Sequence, residues 1–468
     1  MFTIFFRAII TCLILGPTVN AADLDLSQVP LYLGGTVEPN IMFTLDDSGS
    51  MQWEVMPDEN LYFTIHTFPR PAGLYGGTDY DNQVPNYDAD NVHNFFERSA
   101  NNNTIFYNPD ISYVPWSNAN GSSMGDAIPT AALYNPNLPA VGSLNLTAQQ
   151  TQNACWFTHT TDLTLAFGDP CSGDHTYWPI TYFNYNAGSV TTSTSYTQVQ
   201  ITSATPSTAN FTSPAGIVRT RDEEIQNFAN WFQYYRSRIL TARAGVGRAF
   251  ARQGTNLRVG FSAINQGAVT VDGVASTNTL IQGVRSFSGA DRSSFFDNLY
   301  GRVINNNGTP LRSSINAVGS YYERSDNQGP WSETPGTSNA AAHLSCRQSY
   351  NILMTDGYWN GNDPAVGNSD NTDGTTITGP DDPNFQYLAT NPYKDAWSNT
   401  LADVGMDFWK RDLRSTLENN VPTNAADDAF WQHMVNFTVG LGVDGSLDTS
   451  TALPGLTAGS TLWPDPTA

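Results

Sequence analysis

Two short apolar runs each break off at an aspartate, and no other feature constrains the fold as strongly. Asn40-Ile41-Met42-Phe43-Thr44-Leu45 stops at Asp46-Asp47-Ser48-Gly49-Ser50, and Tyr350-Asn351-Ile352-Leu353-Met354-Thr355 stops at Asp356-Gly357. Apolar runs of this length, bounded by turn residues, read as strands buried in a sheet. Two more strands are predicted, over 257–264 and 437–443. Between them lie helical patterns. Ile225, Phe228, Phe232, Tyr235, Ile239, Ala242, Val246 and Phe250 recur at spacings of three and four, predicting one long amphipathic helix with Asp222, Glu223 and Glu224 at its positive end. A short helix is expected over 291–303. Another is expected from Thr309 to Tyr322, with Thr309 as cap and Pro310 in the first helical position. A third runs from Thr400 to about Leu417.

The order strand, helix, strand, helices, strand, helix, strand specifies an α/β fold whose central, mostly parallel sheet carries helices on both faces. In such sheets a ligand site lies beyond the carboxyl ends of the strands. Asp46 and Asp356 stand at such ends, and Thr309 stands at a helix start facing the same edge. Residues 52–220 differ in texture. Asn, Tyr, Thr, Ser, Pro and Gly dominate, charge is sparse and helical periodicity is absent, so this stretch reads as a loop- and β-rich insertion after the first strand, with strand-like composition over 191–199.

Composition narrows the function. With 43 acidic against 21 basic side chains the formal charge is -22, a field that repels phosphate backbones and anionic lipid and argues against nucleic acid. Residues 1–21 have the pattern of an export signal: Arg7, an apolar stretch around Ile9 to Leu15, and small residues ending at Ala21. The apolar stretch is too short to span a bilayer, so no membrane span is expected after signal removal. Cys155, Cys171 and Cys346 follow it. In an oxidising compartment Cys155 and Cys171 would close a short loop, contributing about 3 kcal/mol by chain-entropy reasoning. Cys346 is then left over, as a buried thiol or for pairing with another chain. No Cys/His spacing suits zinc.

Asp46, Ser48, Ser50, Thr309 and Asp356 together offer three hydroxyls and two carboxylates. That oxygen shell suits Mg²⁺, with Mn²⁺ or Ca²⁺ as substitutes, and its low charge leaves a bound ion able to accept a carboxylate from a partner. The set resembles the metal-ion-dependent adhesion site of von Willebrand factor A domains, carried by Asp46-Asp47-Ser48-Gly49-Ser50-Met51, Gly308-Thr309-Pro310-Leu311 and Ile352-Leu353-Met354-Thr355-Asp356-Gly357. The resemblance implies a von Willebrand A, Rossmann-like fold over 22–450 and makes those five residues the ligands. The long stretch separating Ser50 from Thr309 departs from the usual pattern, and helix capping is the competing role for Thr309.

A narrower likeness rests on Phe106-Tyr107-Asn108-Pro109, Asn227-Phe228-Ala229-Asn230-Trp231-Phe232-Gln233-Tyr234-Tyr235-Arg236, Met354-Thr355-Asp356-Gly357-Tyr358-Trp359-Asn360, Ala402-Asp403-Val404-Gly405-Met406 and Trp431-Gln432-His433-Met434-Val435. These strings resemble the N-terminal part of PilY-type proteins, associated with the tip of type IV pili. The likeness implies an exported adhesin or assembly factor, located in the periplasm, at the pilus tip or on the outer surface of a Gram-negative-type bacterium. It implies minor pilins, or a host or surface ligand presenting a carboxylate, as partners, and roles in pilus biogenesis, attachment and surface sensing. Residues 451–468 are then a tail toward a β-propeller that this sequence does not include.

Two other classes compete. A metal-dependent hydrolase is disfavoured: Ser48 stands where a phosphatase of the haloacid dehalogenase type needs its second aspartate, and the six histidines show no nucleophile–base arrangement. A structural pilus subunit with a vestigial metal site is the other. The acidic loop with Asp363, Asp370, Asp373, Asp381 and Asp382 fits no EF-hand spacing and reads as solvated. Tyr358, Trp359 and the aromatics of the insertion either form a contact surface around the metal or pack the insertion onto the sheet.

Overall fold

In the computed structural model, residues 37–466 are described, except 63–64, 81, 165–171, 381–383 and 444. The expected export signal, including Cys12, and Cys171 lie outside the described residues. The central sheet holds β1 (Asn40–Leu45), β2 (Arg258–Ala263), β3 (Leu280–Ser286), β4 (Ser349–Thr355) and β5 (Val435–Gly440), in the order β3-β2-β1-β4-β5. β1 pairs in parallel with β2 and β4, and β4 with β5. Only β3 runs antiparallel, on the edge beside β2. Strand order therefore reverses between β1 and β4, the position where doubly wound sheets open a crevice.

Alternation along β1 sorts its side chains to two cores. Phe43 and Leu45 join one apolar cluster, and Met42 joins the other. The first face is covered by α3 (Arg238–Ala251), through Ile239, Leu240 and Phe250, and by α4 (Gly289–Gly301), through Phe295 and Leu299. The second is covered by α5 (Leu311–Tyr322), through Ile315 and Val318, and by α6 (Leu401–Trp409), through Val404 and Phe408. A polar row crosses this second face: Thr44 Oγ1 is hydrogen-bonded to Ser262 Oγ (2.7 Å) and donates to Asn351 Oδ1 (2.8 Å), while Asn351 Nδ2 donates to Asn436 Oδ1 (3.0 Å). Thr44, Ser262, Asn351 and Asn436 thus meet one another across the strands.

Several expectations need correction. The long helix is two, α2 (Arg221–Tyr234) and α3. The apolar stripe runs through the break, but Ser237 caps the second helix by accepting from the Leu240 N–H, and the Arg238 N–H donates outward to Trp53 O (3.0 Å). Thr309 is not a cap: Pro310 occupies the N-cap position of α5 and no side chain caps it. α6 stops at Trp409, and Leu413 is held beyond it by a backbone hydrogen bond to Gln432 O (2.8 Å). The strand expected over 191–199 begins at Tyr196 and ends at Gln200. β3 was not expected; Gly283 and register shifts in the pairing with β2 interrupt its alternation. A helix, Thr449–Ala458, runs into the expected tail.

The insertion shares a core with the sheet. Phe68, Phe106, Tyr107, Trp116 and Trp156 are buried in the same cluster as Phe228, Trp231 and Phe232 of α2. Polar residues of α2 hold its loops: Asn227 Oδ1 accepts from the Tyr113 N–H (2.8 Å), Asn230 Oδ1 from the Ala127 N–H (2.9 Å) and Gln233 Oε1 from the Leu133 N–H (3.0 Å). For those aromatics, packing is the role. Tyr358 is 64% exposed and Trp359 is half-buried, with the Arg312 guanidinium 5.6 Å from its ring.

Candidate metal centre

β1 and β4 deliver Asp46 and Asp356 side by side past their carboxyl ends, where the Asp46 N–H still donates to Met354 O (2.8 Å). The chain then turns into Gly49–Gln52, a 3-10 helix, with Ser48 as its N-cap. The turn is closed by the Ser48 N–H donating to Asp46 Oδ1 (2.8 Å). It points both serine hydroxyls the same way: Ser48 Oγ and Ser50 Oγ are hydrogen-bonded at 3.0 Å, and Ser50 Oγ donates to Asp356 Oδ1 (3.0 Å). Four of the five expected ligands thus join in one hydrogen-bonded chain. The turn is closely approached at Gly49, where a Cβ would lie 2.4 Å from the Tyr80 hydroxyl and 2.9 Å from Asn306 Oδ1, so both side chains would have to shift to admit one.

Thr309 is buried, on the loop that backs onto this turn, where the Gly49 N–H donates to Asn307 O (2.9 Å). Its own backbone is clamped by Asn360, whose Oδ1 accepts from the Thr309 N–H (2.7 Å) and whose N–H donates to Thr309 O (3.0 Å). The loop is placed beside the four; the Thr309 hydroxyl is not part of their hydrogen-bonded chain.

Two partners of the site had no sequence signal beyond ordinary residues in ordinary places. Thr355 Oγ1 donates to Asp46 Oδ2 (2.6 Å). Arg238, fully buried at the start of α3, puts Nη1 2.9 Å from Asp356 Oδ2 and pairs through Nη2 with Asp58. Asp47 belongs elsewhere. Its carboxylate is held by Arg302 (Nη2 at 2.6 Å) and by the Asn265 N–H (2.8 Å), which ties β1 to the loop after β2.

Burial pushes the Asp46 carboxyl up to about 7, and the nearby Asp356 carboxylate adds to the effect against the pull of Ser48 and Thr355. Burial raises Asp356 too, against Arg238 and Ser50. Two repelling, buried carboxylates with only two hydroxyls strung between them make a donor set that a hard divalent cation would satisfy. Among the described residues, no group of three or more His, Cys, Asp and Glu side chains is placed to hold a metal ion, so a cation here depends on the hydroxyls. Neither serine is paired with an imidazole as a nucleophile requires; each has the other as partner.

The acidic loop is organised around a cation of its own: Lys410 Nζ donates to Ser369 O (2.6 Å) and Thr372 O (2.8 Å). Asp370, expected to be solvated, is 1% exposed, and burial pushes its carboxyl up to about 6. Asp381 and Asp382 lie outside the described residues. Cys155 is disulfide-bonded and Cys346 is a free thiol.

No family model and no solved structure matches the chain. The chain spans about a third of the length of the curated relatives it matches. It is 30% identical over 486 residues to the type IV pilus biogenesis factor PilY1 of Pseudomonas aeruginosa strain PAK, an alignment covering 96% of this chain and 36% of that protein. It is 29% identical over 476 residues to PilY1 of strain UCBPP-PA14, covering 95% of this chain and 35% of that one. The similarity thus runs along nearly the whole chain, and it is to the PilY-type proteins whose motifs the chain resembles.

Proposed function

We propose that this chain is the von Willebrand A-type part of an exported type IV pilus biogenesis factor, and that it captures a partner's carboxylate through a divalent metal. The supporting observation is the hydrogen-bonded chain Ser48–Ser50–Asp356 beside Asp46, set where the strand order reverses. Asp46, Ser48, Ser50 and Asp356 would hold Mg²⁺, Mn²⁺ or Ca²⁺ directly or through water, with Thr309 supplied by the adjoining loop. The ion's contribution when bound is one open, electrophilic coordination position. The residues fix its place: Thr355 and the Ser48 N–H orient Asp46, and Arg238 orients Asp356.

The disulfide at Cys155 supports an oxidising location, periplasmic or at the cell surface. Among the described residues no helix is long and apolar enough to cross a membrane. Minor pilins or a surface ligand presenting a carboxylate are the partners this reading requires, with binding rather than catalysis as the role. Metal analysis of the purified chain tests it. Stoichiometric divalent metal, lost together with pilus-dependent attachment in Asp46→Ala, is expected; retention of both in that variant overturns the reading.

One observation favours a second reading, a structural subunit whose metal site is vestigial. Arg238 occupies Asp356 Oδ2, so a guanidinium already neutralises one of the two carboxylates.

A further inference from the structure

Arg238 has no exposed surface, and each arm of its guanidinium is committed. Nε and Nη2 donate to Val55 O (3.1 and 2.8 Å), Nη1 to Asp356 Oδ2 (2.9 Å) and, at 3.4 Å, to Asp356 O, and Nη2 also pairs with Asp58. The Trp53 ring lies 4.9 Å from its Cζ. Val55, Asp58 and Trp53 all belong to the first stretch of the insertion. Asp356 therefore faces two ways: Oδ1 toward the serine hydroxyls, Oδ2 toward a fixed cation anchored in the insertion.

We infer that Arg238 is a positioning residue that sets the charge of the metal centre, making tight metal binding depend on the partner's carboxylate. This rests on the metal-binding reading above. Asp46 and Asp356 bring two negative charges and Arg238 returns one, so a divalent ion held here keeps an uncompensated positive charge. Burial magnifies that imbalance, because water screens little of it. A carboxylate from a partner restores balance, so ion and partner each strengthen the other's binding by the same factor. Asp58, 29% exposed in its side chain, tempers the guanidinium from the far side. The insertion thereby tunes the centre without contributing a ligand.

The test is calorimetric titration of Mg²⁺ into the metal-stripped full chain, with and without excess acetate as the carboxylate probe. In the unaltered chain acetate should tighten Mg²⁺ binding. In Arg238→Gln, Mg²⁺ alone should bind about tenfold tighter and the acetate effect should collapse. Arg238→Lys, which keeps the charge, should stay within about threefold of the unaltered chain. Asp58→Asn should bind Mg²⁺ several-fold more weakly, with a larger acetate effect. If Arg238 merely props the loop, Gln and Lys both weaken Mg²⁺ binding, and that overturns the inference. Should neither Arg238 variant fold, an unchanged affinity and acetate effect in Asp58→Asn overturns it equally. An unaltered chain that takes up no Mg²⁺ sinks both the metal reading and this inference. Uptake with no shift among folded variants sinks this inference alone.

Discussion

At the end of β1 burial raises two neighbouring carboxyls, and their partners differ. Asp47 is compensated by Arg302; Asp46 has only hydroxyl and amide donors and a like charge nearby. Because burial and Asp356 hold Asp46 near 7, folding of the metal-free chain favours its protonated form over the carboxylate relative to the unfolded chain. An unfolded aspartate titrates at about 4. The stability this group contributes is complete below that value and is lost as pH rises through about 7. Asp46→Asn imitates the protonated form, so in a chelator its thermal stability relative to the unaltered chain should rise between pH 5 and pH 8. Adding Mg²⁺ at pH 8 should reverse the order. A stability difference that does not move with pH would show that Asp46 is already compensated. Asp47→Asn should behave differently: it strands Arg302 and should cost about 3 kcal/mol in denaturant melts.

At the scale of elements, the close approaches decide what the helices tolerate. Gly319 of α5 faces Phe408 of α6, and a Cβ there would lie 2.5 Å from the ring. Gly319→Ala gains at most about 1 kcal/mol of helix propensity and forces an overpacked contact costing about 1–3 kcal/mol. A net loss of stability is expected in urea unfolding, largely restored by Phe408→Leu in the same chain; a stabilised single variant would contradict the packing. The same scale explains what could be read in advance. β1 and β4 are buried on both faces, so they appear as short runs dominated by apolar residues, and the candidate ligands at their ends are contiguous with them. Asp46, Ser48, Ser50 and Asp356 were legible for that reason. Arg238 was not, because its meeting with Asp356 depends on breaking the helical stripe at Tyr235–Ser237, and the stripe's periodicity continues across the break. β3 leaves no such signal because Gly283 and its bulges erase the alternation an edge strand would otherwise show.

For the molecule as a whole, the question is whether the insertion is an appendage or part of the sheet's own core. Trp231 decides it physically. It is fully buried, and its indole donates to Ile105 O (2.9 Å). Its ring packs 4.7 Å from Phe106 and 6.2 Å from Phe68, both in the insertion, centroid to centroid. On the sheet side, Phe43 packs at 5.7 Å against Phe250 of α3, in the same apolar cluster. A core continuous in this way has no weak plane along which the insertion can detach, so both parts should unfold together. Far-ultraviolet dichroism, reporting the helices beside the sheet, and hydrogen exchange of the insertion's peptides, followed through the same urea series by mass spectrometry, should give coincident transitions. Trp231→Ala should shift both by the same amount, about 3–5 kcal/mol. If the insertion's transition moves alone, the insertion is an independent unit. Its grip on Arg238 through Val55 and Asp58 would then be too loose to set the charge of the metal centre.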